Sequence, residues 1–286
     1  MRYERPETLM DATALLAEAS ENAFVLAGGT DLLVRMQSDD FKADLVVDIK
    51  SIAGMGEVTE TEDAFVIGAA VPCAALGEHE ALTAAWPGVV EAANLIGSTQ
   101  VQGRCTVSGN LCNASPAADS VPALVAANAK VRIAGPGGTR EAAVLDIPTG
   151  PGKTSLAKGE IIESVILPKP TARSGDAYLR FTPRTEMDIA VVGAGVSLSL
   201  DDDGVVKSAR VALGAVGPKV MLVEDGARAL VGTRLEDAAL NALAAACSAG
   251  SNPIDDKRGT VEFRKQVAGV LARRAAQTAY TRAGEK

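Results

Sequence analysis

Two stretches of this chain combine residue types suited to holding an anion. The first runs from Phe24 to Met36, Phe-Val-Leu-Ala-Gly-Gly-Thr-Asp-Leu-Leu-Val-Arg-Met. It reads as a short buried strand, Phe24–Ala27, broken at Gly28-Gly29. Thr30 or Asp31 then caps a helix whose Leu32, Leu33 and Met36 face inward. Glycines let backbone approach a ligand, and a helix start presents unpaired N–H groups and a positive dipole end. The same residues also make an ordinary capped turn. The second stretch is Gly103 to Asp119, with two glycines, two asparagines and three small hydroxyl residues between apolar segments. A loop this polar needs partners for its backbone groups. Turned toward Gly28-Gly29, the residues Thr106, Ser108, Gly109 and Asn110 form a second cluster of N–H and O–H donors. Two such clusters can hold both phosphates of a dinucleotide, with Asp119 accepting from a ligand hydroxyl. The alternative is a capped surface loop in which Asp119 caps the helix before Val121.

Other motifs fail on spacing. Gly193-Ala194-Gly195 lacks the third glycine and following helix of a dinucleotide fingerprint, and reads as small residues on a closely packed strand. Gly150-Pro151-Gly152-Lys153-Thr154 mimics the end of a phosphate-binding loop, but Ile147 stands where its first glycine belongs. No serine elbow, paired catalytic carboxylates or His/Cys dyad is found. The lone histidine, His79, lies in a polar patch and reads as a solvated loop residue. If the chain is catalytic, a cofactor carries the reaction.

These stretches need a framework. With 286 residues and 47% apolar composition, the chain can build two or three subdomains around real cores. Aromatics are only 3%, so small side chains do the packing and layers sit close together. A net charge of −8 argues against nucleic acid or an anionic membrane as partner. No apolar run approaches the roughly 20 residues of a membrane span, and the N-terminus does not read as a signal peptide. Four scattered cysteines form neither a disulfide framework nor a metal site, so a cytoplasmic location is expected.

Taken in order, residues 8–20 read as an amphipathic helix, and 24–27 and 44–49 as strands of a small parallel sheet. A boundary falls near 54–56. Strands at 57–59 and 64–67, helices starting at Val71-Pro72, Trp86-Pro87 and Val121-Pro122, a hairpin around 135–139 and a strand at 161–167 make an α+β unit. Residues 169–175 are the expected linker. Beyond it, 190–200 alternates as a half-buried strand, Asp201–Gly204 is a hairpin turn, and 211–215 returns. Helices at 235–249 and 258–282 close the chain, the last packing through Phe263, Val267, Val270 and Leu271.

Ala27-Gly28-Gly29-Thr30-Asp31-Leu32-Leu33, with Thr106-Val107-Ser108-Gly109-Asn110-Leu111 and Ser115-Pro116-Ala117-Ala118-Asp119, resembles the paired FAD signatures of the flavin (medium) subunit of molybdenum hydroxylases, of the carbon monoxide dehydrogenase and xanthine dehydrogenase types. Matches at 101–105, 159–162, 178–184, 188–190 and 254–258 extend the resemblance over nearly the whole chain. It implies a vanillyl-alcohol-oxidase-like (PCMH-type) FAD-binding domain over residues 1–173, in subdomains of about 1–55 and 56–173. A C-terminal domain of antiparallel sheet plus helices then spans 174–286. It further implies that Leu26 to Leu33 wrap the pyrophosphate from one side and 106–110 from the other. Asp119 matches a cofactor-contacting position, and Ile96 and Ile162 match residues lining the adenine or flavin ring. Arg180 stands where the family usually has a lysine near the flavin. In the second motif Ser108 replaces a glycine, so backbone approach there must tolerate a Cβ.

The resemblance implies an FAD-binding electron-transfer subunit of a heteromeric enzyme. Partners would be a small [2Fe-2S] subunit and a large molybdenum–molybdopterin subunit, arranged as a dimer of heterotrimers, with NAD⁺, a quinone or another molecule as electron acceptor. No histidine sits at a plausible flavin attachment site, so FAD is expected to be non-covalent. The chain has no cysteine pattern for an iron–sulfur cluster, so the clusters belong to another chain. The alternatives are a stand-alone FAD-dependent oxidoreductase of the same superfamily and a non-catalytic nucleotide-binding assembly module.

Overall fold

The computed structural model describes residues 1–38 and 41–286. Its first unit contains β1 (Arg2–Glu4), α1 (Leu9–Glu18), β2 (Ala23–Leu26), α2 (Leu32–Arg35) and β3 (Leu45–Asp48). The strands form a three-stranded sheet of order β1-β3-β2, parallel throughout. The expected parallel sheet is present, with β1 as an added edge strand. Thr8 caps α1 through a bond from the Asp11 N–H, and Ala12 and Leu16 are buried beneath it. At the end of β3, Asp48 is buried and holds three donors: Tyr3 OH at 2.5 Å, the Lys50 N–H at 3.0 Å and Lys50 Nζ at 2.7 Å. Burial pushes its carboxyl up, and the bonds from Lys50 and Tyr3 outweigh that, leaving it below the usual range. Lys50 Nζ also donates to Ala27 O, pinning the chain just before Gly28.

The second unit contains β4 (Val58–Glu60), β5 (Ala64–Gly68), α3 (Cys73–Glu78), α4 (Glu80–Ala85), α5 (Pro87–Ala93), α6 (Thr99–Gln102), α7 (Val107–Asn113) and α8 (Ser120–Ala126). Strands β6 (Lys130–Gly135), β7 (Gly138–Ala143), β8 (Pro148–Gly150), β9 (Lys153–Thr154) and β10 (Ile161–Pro168) follow. An antiparallel sheet runs β4-β5-β10-β6-β7, and β8 and β9 pair separately. Strand β10 is central and bulges between Ile162 and Ser164; such irregularities re-aim side chains. His79 is not a solvated loop residue: it is half-buried, and its Nδ1 accepts from the Leu82 N–H to cap α4. Trp86 packs at the start of α5, as expected, with Nε1 donating to Pro168 O.

The third unit contains β11 (Ser174–Phe181), β12 (Val192–Leu200), β13 (Val206–Gly214), β14 (Met221–Leu222), α9 (Glu224–Leu230), α10 (Asp237–Gly250) and α11 (Val261–Gly284). Its antiparallel sheet runs β11-β12-β13-β14. The expected linker is shorter than its composition suggests, because Ser174 and Gly175 already pair in β11. Strand β12 is not half-buried but buried on both faces. A Cβ on Gly195 would lie 2.6 Å from Pro122 O, so α8 presses its backbone onto one face. On the other face lies α11, whose buried residues are chiefly alanines, Ala268, Ala272, Ala275, Ala276, Ala279 and Ala283, together with Leu271. Phe263 and Val270, expected to face inward, are 39% and 40% exposed. The close spacing of helix and sheet leaves room for a methyl group and little more.

Candidate cofactor site

A cavity of about 340 Å³ opens where the first two units meet. The end of β2 and the Gly28–Leu32 segment supply one wall. The segment from Cys105 through α7 supplies the other, and Thr154, Leu156 and the start of β10 close the far end.

The walls touch through backbone. A Cβ on Gly28 would lie 2.2 Å from Arg104 O and 2.9 Å from Cys105 Cα, so only glycine permits this approach. Gly29 has φ +78°, and a Cβ there would meet Leu26 Cδ1 at 2.7 Å. Helix α2 starts immediately after. Its four residues include none that is buried, and neither Thr30 nor Asp31 makes a side-chain cap bond. The expected inward face is absent: Leu32 and Met36 are half-buried, and Leu33 is 50% exposed. The helix lies along the mouth of the cavity, where Leu32 and Arg35 contribute to the lining. Among the described residues, no acceptor meets the N–H of Gly29, Thr30, Asp31 or Leu32.

The opposite wall is a helix rather than a loop. Val107 and Leu111 are buried, and that burial overrides the low helix propensity of the glycine and asparagines in α7. Thr106 caps it, accepting from the Gly109 N–H at 2.9 Å. The Ser108 hydroxyl donates to Ala69 O at 2.9 Å. The Ser108 hydroxyl proton is therefore spent on the fold, whereas Thr106 gives only a lone pair and keeps its O–H, so the expected cluster of N–H and O–H donors loses one hydroxyl. The N–H groups of Val107 and Ser108 meet no acceptor among the described residues. The side chain of Asn110 lies on this wall, and its Oδ1 accepts from Ser120.

Of the residues expected at the site, Ala27, Gly28, Gly29, Thr30, Asp31, Leu32, Ile96, Thr106, Ser108, Gly109, Asn110 and Ile162 line this one cavity. Leu26 and Leu33 lie behind Gly29, outside the lining. Asp119 and Arg180 are also outside it and are bonded to each other: Arg180 Nη1 donates to Asp119 Oδ2 at 2.7 Å, and Tyr178 OH donates to Asp119 Oδ1 at 2.9 Å. Asp119 caps nothing, since α8 has no side-chain cap bond. Burial pushes its carboxyl above the usual range, opposed by Arg180 and Tyr178. Burial and the facing Asp119 carboxylate push the Tyr178 phenol well above its ordinary value.

Sequence reading missed Ile49, Cys105, Cys112, Asn113, Thr154, Leu156 and Ile161 in the lining. Cys105 and Asn113 adjoin the recognised motif and were within reach. Thr154 belongs to the rejected phosphate-loop mimic, where it serves as a cavity wall. Burial pushes the Cys112 thiol up to about 12, so it is a neutral lining group.

Two sets of free N–H donors suit the oxygens of a diphosphate. Ile49, Ile96, Leu156, Ile161 and Ile162 suit a flat apolar ring. The site and fold thus define a dinucleotide-binding flavoprotein. Residues 1–170 match the family model described as the FAD binding domain in molybdopterin dehydrogenase, and residues 177–279 match the CO dehydrogenase flavoprotein C-terminal domain. The carbon monoxide dehydrogenase medium chain of Afipia carboxidovorans is 32% identical over 98% of this chain and 97% of its own length. The xanthine dehydrogenase FAD-binding subunit of Escherichia coli O157:H7 is 30% identical over 99% of this chain and 97% of its own. Among solved structures, a reconstituted CO dehydrogenase from Oligotropha carboxidovorans superposes with a TM-score of 0.94 at 32% identity, covering 99% of this chain and 98% of that one. The chain belongs to the family of FAD-binding medium subunits of molybdenum-dependent dehydrogenases, and is an oxidoreductase flavoprotein. Among the described residues, no helix is long and apolar enough to cross a membrane.

Proposed function

We propose that this chain is the electron-transfer subunit of a heteromeric molybdenum hydroxylase. It receives electrons from [2Fe-2S] clusters on a small subunit, drawn from a large molybdenum–molybdopterin subunit, and delivers them to NAD⁺, a quinone or another acceptor. The observation that carries this reading is the backbone contact of Gly28 with Arg104 and Cys105, which brings two sets of free N–H donors onto one cavity. Bound FAD supplies the exchange between two-electron and one-electron chemistry that side chains lack. The chain's own part is to hold the diphosphate through the N–H groups of 29–32 and 107–108, and to enclose an apolar ring against Ile96 and Ile162.

We infer that residues 1–173 act as the FAD-binding domain and 174–286 as the C-terminal domain, bridged by the Asp119–Arg180 pair. The cofactor-facing residues on this reading are 27–32, Ile96, Thr106, Ser108, Gly109, Asn110 and Ile162, with Leu26 and Leu33 supporting Gly29 from behind. Asp119 and Arg180 stand behind the wall and set its charge. The complex is a cytoplasmic dimer of heterotrimers. The chain titrated with FAD is expected to show a flavin spectrum, with flavin released on acid precipitation because attachment is non-covalent. It is expected to co-purify with iron- and molybdenum-bearing subunits. A flavin-containing chain that oxidises a substrate alone would favour the stand-alone oxidoreductase. A colourless chain that takes up no added FAD would leave only the assembly module.

A further inference from the structure

The face that Asn110 turns to the cavity is decided by a residue outside the lining. Ser120 is fully buried at the start of α8. Its backbone N–H lies 3.2 Å from Asn110 Oδ1, and its hydroxyl lies 2.7 Å from the same oxygen. A backbone N–H can only donate, so the atom it meets must be the amide oxygen and not the NH₂ group. The orientation of this amide therefore follows from chemistry. The NH₂ group points away from Ser120, on a side chain that lines the cavity, and meets no acceptor among the described residues. It joins the free N–H groups of Val107 and Ser108, which makes the start of this wall a cluster of donors.

We propose that Ser120 is a positioning residue: it locks the Asn110 amide with its NH₂ group toward the cavity, completing the donor cluster at the start of α7 for the diphosphate. This rests on the FAD-binding reading given above. Without the Ser120 hydroxyl the amide is held by the backbone N–H alone and presents its oxygen to the phosphate in a larger part of the population, and that repulsion weakens binding. Ser120 touches no ligand on this account and acts through Asn110.

The test is a double-mutant cycle on the full chain stripped of flavin, with FAD affinity read by titration and unfolding temperature recorded for each FAD-free variant. Ser120→Ala is expected to weaken FAD binding about tenfold in the wild-type background and less than twofold when Asn110 is already alanine. Equal losses in both backgrounds mean a general structural effect and overturn the proposal, as does no loss in the wild type. Should Ser120→Ala fail to fold, Asn110→Asp decides. It keeps an acceptor for both Ser120 donors but replaces the NH₂ group with a carboxylate oxygen. A loss of at least about 100-fold is expected, and wild-type affinity in this variant overturns the proposal. A wild-type chain that takes up no FAD overturns the parent reading itself, which separates the two failures.

Discussion

The two walls of the cavity are built on opposite plans. The wall at 106–113 is anchored: Thr106 and Ser108 are buried, the Thr106 oxygen accepts from the Gly109 N–H, the Ser108 hydroxyl donates to Ala69 O, and Asn110 is tied to Ser120. The wall at 28–36 has no side-chain cap, no buried residue in its helix, and four N–H groups with no acceptor among the described residues. It is held from behind by Lys50 on Ala27 O, and by the contact of Gly28 with the opposite backbone. A donor that is rigid before binding costs little when the ligand arrives, whereas an uncapped helix start gains order from the ligand. One wall is therefore a template and the other a clasp.

The largest expected effect comes from removing the contact that joins them. Gly28→Ala places a methyl group 2.2 Å from Arg104 O. Loss of FAD retention is expected, with the FAD-free chain destabilised by about 3 kcal/mol or more; unchanged thermal unfolding would mean that the walls do not meet through backbone.

The anchored wall continues through α8 into the C-terminal sheet, and that sheet meets the second unit again at Asp176. This carboxylate is buried; its Oδ2 accepts from the Val89 N–H at the start of α5, and among the described residues its Oδ1 meets no donor. Burial raises its pKa from 3.8 to about 6, against the pull of the Gly88 and Val89 N–H groups, Arg282 and Lys286. The folded chain thus holds a proton that the unfolded chain has lost between these values. Stability is expected to fall as pH rises through that window, by up to about 3 kcal/mol. Asp176→Asn should flatten the profile and raise stability above pH 6; an unchanged slope in pH-dependent urea unfolding would show that the junction does not titrate.

Thr106→Ala removes the cap from the template wall and is expected to cost about 1 kcal/mol in the FAD-free chain, measured by denaturant unfolding. Thr30→Ala, on the clasp, is the smallest change. It should alter FAD-free stability by no more than about 0.5 kcal/mol. Amide exchange sharpens the contrast: N–H groups of 29–36 should exchange fast without FAD and slow on its addition, while those of 109–113 stay protected in both states. Equal protection of the two segments without FAD would erase the distinction between template and clasp.

Much of the framework was legible in local pattern. The strand ending at Gly28-Gly29, the parallel sheet, the hairpin at Asp201–Gly204 and the polar run at 103–119 follow from hydrophobic spacing and turn chemistry, which act between near neighbours. Helix α7 was not legible, because glycine and asparagine argue against a helix until Val107 and Leu111 find a core. Nor was the alanine face of α11, since its spacing to the sheet depends on how closely α11 can approach β11 and β12.

The sequence by itself determined which residues can donate to an anion, and the family that assembles them. Only the tertiary structure decided which of those donors are left over. Ser108 carries a hydroxyl proton suited to a phosphate, yet Ala69 O claims it first, and the Thr106 oxygen is taken as acceptor by the Gly109 N–H. Asp119 carries a carboxylate suited to a ligand hydroxyl, yet Arg180 and Tyr178 hold it. A buried polar group takes the partner that packing brings nearest, and three of these four partners are distant in sequence.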